Sequence, residues 1–149
     1  MNLNELFDHW RHVRHGLLST MDQFSDADLA YEPFAESWTV GDLMRHIPNT
    51  EVGWFQHVAQ ERLAGWPVHA PADYPTIAAI QQLLSEAHQE TEAYLAEFGV
   101  GDLDRPVITP WGETVTLGWI TWHVLEHEIH HRGELSLILG LLGREGLDV

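Results

Sequence analysis

The stretch HVLEHEIHHRGEL near the end of the chain contains two histidines four positions apart, His127 and His131, with Glu128 directly after the first. His-Glu-x-x-His is the zinc signature of metalloproteases, in which the histidines bind the ion and the glutamate is the general base. The extended form of that motif requires a glycine and a third histidine at the positions that Glu134 and Leu137 occupy here. Only 18 residues follow the second histidine, enough to complete one helix and a short tail. We therefore reject the protease interpretation.

The two histidines interrupt a helical stripe of apolar residues. Its other members recur every three or four positions on both sides of the pair: Leu117, Ile120, Val124, Leu135, Ile138 and Leu142. Residues i and i+4 of a helix project within about 40° of each other, so both imidazoles are predicted to face the bundle interior. A buried polar group without a partner costs about 1–3 kcal/mol. A divalent metal ion would satisfy both rings at once; carboxylates or carbonyls bonded to two core histidines are the alternative.

A third ligand must come from another helix, and His46 in WTVGDLMRHIPNTE is the best candidate, although by itself it is more typical of a partly buried histidine than of a ligand. Glu128 is rotated by about 100° from His127. It could act as a general base on a water at the metal, or lie at a helix interface. His130 is expected beside the ligands or in solvent. His123 is expected at the mouth of the site or packed against neighbouring side chains.

The elements that must position these residues are read from periodicity and capping signals. Four segments show helical spacing: residues 3–24, 39–65, 77–98 and 116–142. Pro48 lies inside the second segment and is predicted to kink it. Two β-prone runs at 107–109 and 113–116 predict a short hairpin or an irregular loop before the last helix, with Trp111 at the rim of a pocket. The pattern predicts an all-α four-helix bundle forming a single domain over residues 1–149.

The composition of the chain excludes or disfavours several classes of function. The chain has 149 residues, no cysteine, 11 histidines and a formal net charge of −16. The absence of cysteine excludes disulfides, thiolate metal sites and a cysteine nucleophile. A surface this negative disfavours nucleic-acid binding. The sequence shows no signal peptide and no apolar run near the roughly 18 residues of a membrane span, so a cytoplasmic protein without membrane contact is expected.

Two of these stretches carry a resemblance to a known family. SWTVGDLMRHIPNTE resembles the helix-two signature of the DinB/YfiT-like superfamily, and HVLEHEIHHRGEL resembles its helix-four signature. The resemblance implies a four-helix bundle with one divalent metal ion bound by three histidines. Carried over to this sequence, these are His46, His127 and His131. It also implies a homodimer, zinc or nickel as the metal, and in some members a low-molecular-weight thiol, as in bacillithiol- and mycothiol-dependent transferases and isomerases.

Two classes of function follow from these expectations. The first is a metal-dependent enzyme for a small-molecule substrate, acting as a low-molecular-weight-thiol S-transferase or a hydrolase, with Glu128 as its candidate catalytic residue. The second is a metal-containing bundle without catalysis, serving as a binding or stress-response module. Turnover of a thiol with an electrophile would distinguish the two.

Overall fold

The structure is a computed structural model that describes all 149 residues, and its four long helices form the predicted bundle. The elements in chain order are α1 (Leu3–Leu6), α2 (His9–Met21), α3 (Val40–Val52), α4 (Ile77–Leu95), β1 (Pro106–Ile108), β2 (Thr114–Thr116) and α5 (Leu117–Leu141). Helix α2 packs against α5, and α3 packs against both α4 and α5. None of the helices is long and apolar enough to cross a lipid bilayer.

Threonine caps begin three of the four long helices. The side chains of Thr39, Thr76 and Thr116 each accept a hydrogen bond of 3.1 Å from the backbone N–H three residues further on. Such caps satisfy one of the free N–H groups at a helix start and contribute about 1 kcal/mol each. These three caps set the starts of α3, α4 and α5, the helices that carry most of the candidate site and its supporting contacts.

The predicted hairpin is confirmed. Strands β1 and β2 pair antiparallel through three residue pairs, and Gly112 in the connecting turn has a φ of 90°, which favours glycine. The N–H of Gly118 donates to the carbonyl of Leu103 at 2.8 Å, and a Cβ on Gly118 would lie 2.9 Å from the same oxygen. Glycine at this position thus lets the segment before the hairpin pack closely on the first turn of α5.

Two of the predicted helices have different bounds. The first is divided into the single turn α1 and the helix α2, with a break at Phe7 and Asp8. The second does not reach residue 65: α3 continues through Pro48 to Val52, widens into a π-helix over Gly53–Ala59, and ends there. Glu61 then takes a φ of 53°, which no helix accommodates, and the chain turns away.

A layer of polar residues divides the hydrophobic core into two clusters. One contains Leu17, Ile47, Leu84 and Leu135; the other contains Trp10, Trp54, Leu95 and Val124. Between the two, each long helix contributes one buried polar side chain: Arg14, Glu51, His88 and Glu128. We call these four residues the ionic layer.

Arg14 is the centre of the ionic layer. Its guanidinium donates to both carboxylate oxygens of Glu128 at 2.8 Å and to Glu51 at 2.7 Å. Trp10 donates a further hydrogen bond of 2.8 Å to Glu128, and Nδ1 of His88 donates to Glu51 at 2.8 Å. The layer therefore ties α2, α3, α4 and α5 together through charge-assisted hydrogen bonds, the stronger kind in proteins.

The charges of this layer stabilise one another against burial. Burial opposes the charge on Arg14, but Glu51 and Glu128 outweigh it and raise the pKa of Arg14. Burial alone would raise the pKa of Glu51; the charge of Arg14 and the hydrogen bonds from His88 and Arg14 outweigh it and lower that pKa from 4.5 to about 2. Arg14 and Glu51 are thus held in their charged states by their partners.

Removing the central cation should destabilise the fold. In Arg14→Met, Glu51 and Glu128 remain buried without their common partner, and breaking a buried pair in this way costs about 3–5 kcal/mol. We expect that loss in the free energy of unfolding, measured by urea titration. The matched control is Arg62→Met, because Arg62 pairs with Glu90 at the surface, where a pair contributes about 0–1 kcal/mol. Equal losses in the two variants would contradict this role for Arg14.

The free energy of unfolding should decrease as the pH falls from about 4.5 to about 2. Because the folded-state pKa of Glu51 lies below its ordinary 4.5, its contribution is complete above that pH and is lost as the pH falls towards about 2. We expect the urea midpoint to fall across this range, and to fall less steeply in Glu51→Gln. Glu90→Gln, an exposed change, serves as the control. Parallel curves for the wild type and Glu51→Gln would show that Glu51 does not carry the effect.

Candidate metal centre

The structure brings the three predicted ligands together. His46 extends from α3, and His127 and His131 extend from α5 one turn apart. Nε2 of His127 lies 2.8 Å from Nε2 of His46 and 3.0 Å from Nε2 of His131. All three side chains are partly buried and have their potential ligand atoms within 4.8 Å of one another.

The chemistry of this donor set fits a small cation. Nδ1 of His131 lies 2.8 Å from Oε2 of Glu134, and because a carboxylate only accepts, Nδ1 carries the proton. Nε2 of His131 is then the ring nitrogen left for a metal ion, and it lies 3.0 Å from Nε2 of His127. Zinc–nitrogen bonds of about 2.0–2.1 Å in a tetrahedral site place two nitrogens about 3.4 Å apart. The observed separations of 2.8 and 3.0 Å are about 0.4–0.6 Å shorter than that spacing, so a small outward shift of the rings would accommodate the ion.

The electrostatic surroundings keep two of these rings neutral. Burial first, and then the neighbouring His131 and His46, lower the pKa of His127 from 6.5 to about 3. Burial and His131 also lower the pKa of His46, against a smaller opposing effect of Glu134. A metal ligand must be a neutral imidazole, so both rings are in the state required for ligation at neutral pH.

Glu134 orients the site from outside. Its carboxylate contacts Nδ1 of His131 at 2.8 Å with one oxygen and Nε2 of His130 at 2.9 Å with the other. A carboxylate on the far nitrogen of a ligand histidine fixes the ring's tautomer and direction. His130, His131 and Glu134 form a second group with metal-ligand atoms, but His130 is exposed and the carboxylate is already bonded. The cluster of three imidazoles is the better candidate.

Glu128, the predicted catalytic residue, is not brought to this cluster. Its carboxylate is buried in the ionic layer, where Arg14 and Trp10 bond to both of its oxygens. It is absent from the groups whose ligand atoms converge. A base held between a guanidinium and an indole N–H cannot turn towards a water at the imidazoles, so the geometry assigns Glu128 to the ionic layer and gives no support to a catalytic role.

The same placement corrects the predicted helical face. Glu128 is fully buried in the stripe of α5, whereas His127 and His131 are only partly buried at its edge. Two further neighbours of the site were missed. Thr50 lies with its hydroxyl 3.2 Å from Nε2 of His127, and the exposed Trp38 meets His46 edge-on with a centroid distance of 4.8 Å.

The remaining candidates lie away from the three imidazoles. His123 stacks on Trp119 at 4.6 Å and meets Trp54 edge-on, which is the packing alternative that the sequence left open. Trp111, predicted at a pocket rim, packs against Trp54, and its indole N–H donates to Glu113. Its position on the hairpin places it in an aromatic cluster, whereas Trp38 contacts His46 directly.

Two concavities, here called lobes of a cleft, lie beside the imidazoles, and Trp38 lines both. The lobe next to His131, here called the apolar lobe, has a volume of about 550 Å³ and is lined mainly by Phe34, Trp38, Leu137 and other apolar side chains. The lobe next to His46, here called the polar lobe, has a volume of about 400 Å³. Both volumes fall within the range of about 300–1,000 Å³ that small-molecule sites occupy.

Fold and site together match one family of helical-bundle proteins. The DinB superfamily profile matches residues 9–135, and the chain belongs to this superfamily. No curated protein matches the chain.

Several solved structures share the fold. A DinB-like protein from Bacillus cereus superposes with a TM-score of 0.80 at 16% identity, over 99% of this chain and 97% of that one. The mycothiol-dependent maleylpyruvate isomerase superposes with a TM-score of 0.62 at 16% identity, over 88% of this chain and 60% of the isomerase. YfiT from Bacillus subtilis, described as a probable metal-dependent hydrolase with an unusual four-helix bundle topology, gives 0.50 at 21% identity, over 89% and 87%. At these identities the likeness shows the fold.

Proposed function

We propose that the chain binds one divalent metal ion, zinc or nickel, through His46, His127 and His131, and that the loaded protein is an enzyme for a small molecule. The observation that supports this most strongly is the convergence of three Nε2 atoms, two of them 2.8 and 3.0 Å from the third. Three protein ligands leave a coordination position open, as catalytic zinc sites do. The described functions of YfiT and of the isomerase are compatible with this proposal.

Four residues of the chain have distinct roles around the proposed metal ion. His46 lines the polar lobe and His131 lines the apolar lobe, so a substrate in the cleft lies beside both ligands. Glu134 holds the proton on Nδ1 of His131 and leaves Nε2 free. Trp38 borders both lobes and covers the edge of His46. When bound, a divalent ion would supply Lewis acidity that favours the anionic form of a nucleophile beside it.

The choice of nucleophile follows from the state of the two nearest glutamates. Glu128 is engaged in the ionic layer and Glu134 is bonded to two histidines, so neither is placed to take a proton from water at the cluster. A thiol, with an ordinary pKa of about 8.5, needs far less help to ionise than water at about 15.7. We therefore favour S-transfer from a low-molecular-weight thiol to a small electrophile over hydrolysis, in keeping with a structural neighbour that depends on mycothiol.

Activity should depend on the loaded metal site. Zinc- and nickel-loaded protein is assayed with a panel of small thiols and a chromogenic aryl electrophile, and separately with chromogenic esters. We expect thiol-dependent turnover that is lost in His46→Ala and in chelated protein. Ester hydrolysis without thiol transfer would make the hydrolase the correct alternative. Protein with one ion per chain and no turnover in either assay would favour the non-catalytic binding module.

Metal content distinguishes the two candidate ligand groups. Purified protein loaded with zinc and freed of excess should contain about one ion per chain by elemental analysis, and His46→Ala and His127→Ala should each lose it. His130→Ala is the matched control, because it removes an imidazole of the second group only. Loss of zinc in His130→Ala together with retention in His46→Ala would overturn the ligand assignment.

Glu134 should affect the affinity of the site for the metal ion, although it is not itself a ligand. Glu134→Gln weakens the acceptor that fixes His131, and loss of a hydrogen-bond partner on the far nitrogen of a ligand histidine reduces metal affinity by about 10–100-fold. Competition with a chromogenic chelator measures the change. Glu126→Gln removes the same charge from an exposed position on α5 and should have little effect. Equal losses in the two variants would indicate a general charge effect rather than orientation of His131.

A further inference from the structure

The cleft beside the imidazoles has a charge pattern that restricts what can bind there. Among the residues that line the apolar lobe, the two charged ones are Glu36 and Glu134, and both are acidic. The polar lobe contains one arginine, Arg45, which is buried and already bonded to Asp42 at 3.0 Å and to the carbonyl of Tyr74 at 3.1 Å. Apart from the proposed metal ion, no cationic side chain in either lobe is free to pair with a carboxylate or phosphate of a ligand.

The apolar lobe also exposes several large hydrophobic side chains to solvent. Phe34 is 72% exposed, Trp38 55%, Leu137 67% and Leu141 58%, and all four line this one concavity. Leu43 and Ile138 form its buried floor. Contiguous exposed apolar surface of this kind marks a binding site, and here it begins at His131, one of the three convergent imidazoles.

From these two observations we propose the class of substrate. The body of the substrate is apolar, an aryl or branched alkyl group, and it carries no carboxylate or phosphate; a single donor atom faces the imidazoles while the body fills the apolar lobe. This inference rests on the proposed function, because the donor atom is placed by the metal. Burying the apolar body favours binding. An anionic group on that body would lie beside Glu36 and Glu134 with no compensating cation.

The occupant of the lobe is a small molecule and not a second copy of this chain. The lobe is a concavity of about 550 Å³ lined in part by His131, and this volume lies within the range of about 300–1,000 Å³ that small-molecule sites occupy. The carboxylates at the rim also disfavour a partner with a formal net charge of −16.

Matched hydroxamic acids test the proposal on zinc-loaded protein, with binding measured by calorimetry. All of them bring the same metal-binding group and differ only in the body. Benzohydroxamic acid should bind about tenfold more tightly than acetohydroxamic acid, from the added apolar contact, and about tenfold more tightly than its para-carboxy analogue. Equal affinity for the neutral and the carboxylated probe, or a preference for the latter, would overturn the proposal.

Two variants locate the effect in the apolar lobe. Leu137→Asp should weaken benzohydroxamic acid about fivefold or more, while Ile129→Asp, an exposed position on α5 outside the lobe, should not. Glu36→Gln should raise the affinity of the carboxylated probe.

Zinc content is measured in every preparation. If the wild-type protein holds no zinc, the proposed function is contradicted, and this inference with it. A zinc-loaded Leu137→Asp that binds the probes normally but loses a dimer in sedimentation would show that a second copy covers the lobe, and would overturn the inference alone.

Discussion

The bidentate pair between Arg14 and Glu128 is the interaction on which the rest of the structure depends. It joins α2 to α5 in the middle of the bundle, and the same guanidinium reaches Glu51 on α3. Both carboxylates lie next to site residues: Glu128 follows His127, and Glu51 follows Thr50, whose hydroxyl contacts that histidine. A slip of one residue would rotate a helix by about 100°, so fixing these two turns fixes the direction of the imidazoles.

This arrangement explains how a bundle with a polar centre remains ordered. Arg14, Glu51 and Glu128 are buried, yet every charge has a charged partner, and Trp10 and His88 donate to the remaining lone pairs. A fully satisfied network of this kind gives a unique register, whereas hydrophobic side chains alone can slide past one another. The register specified by the ionic layer positions the three imidazoles; the apolar clusters above and below it supply most of the stability.

The sequence predicted the bundle well, because period and caps are local signals. The hairpin and the start of α5 were placed correctly. Pro48 was also correctly placed inside a helix, because α3 continues through it. The sequence did not predict that Glu128 is more deeply buried than His127, since adjacent residues on a stripe interrupted by polar groups are hard to separate by periodicity. A sharper signal was present: each long helix has an ionisable residue between apolar neighbours, as Arg14 is between Trp10 and Leu17.

Long-range geometry accounts for what the sequence could not provide. His46 was chosen as the best candidate for a third ligand, and the resemblance to a family supported that choice, because no local pattern relates α3 to α5. Trp38 lies in a loop without periodicity, and its position over His46 follows only from the packed fold. The same holds for the two lobes of the cleft, whose walls come from segments far apart in the chain.

Diffraction from crystals of zinc-loaded protein, recorded on both sides of the zinc absorption edge, tests the central claim most directly. The account predicts one anomalous peak per chain, about 2.0–2.1 Å from Nε2 of His46, His127 and His131, with Glu128 still paired to Arg14. A peak coordinated by His130 and Glu134 without His46, or three rings in direct contact with no peak among them, would contradict it.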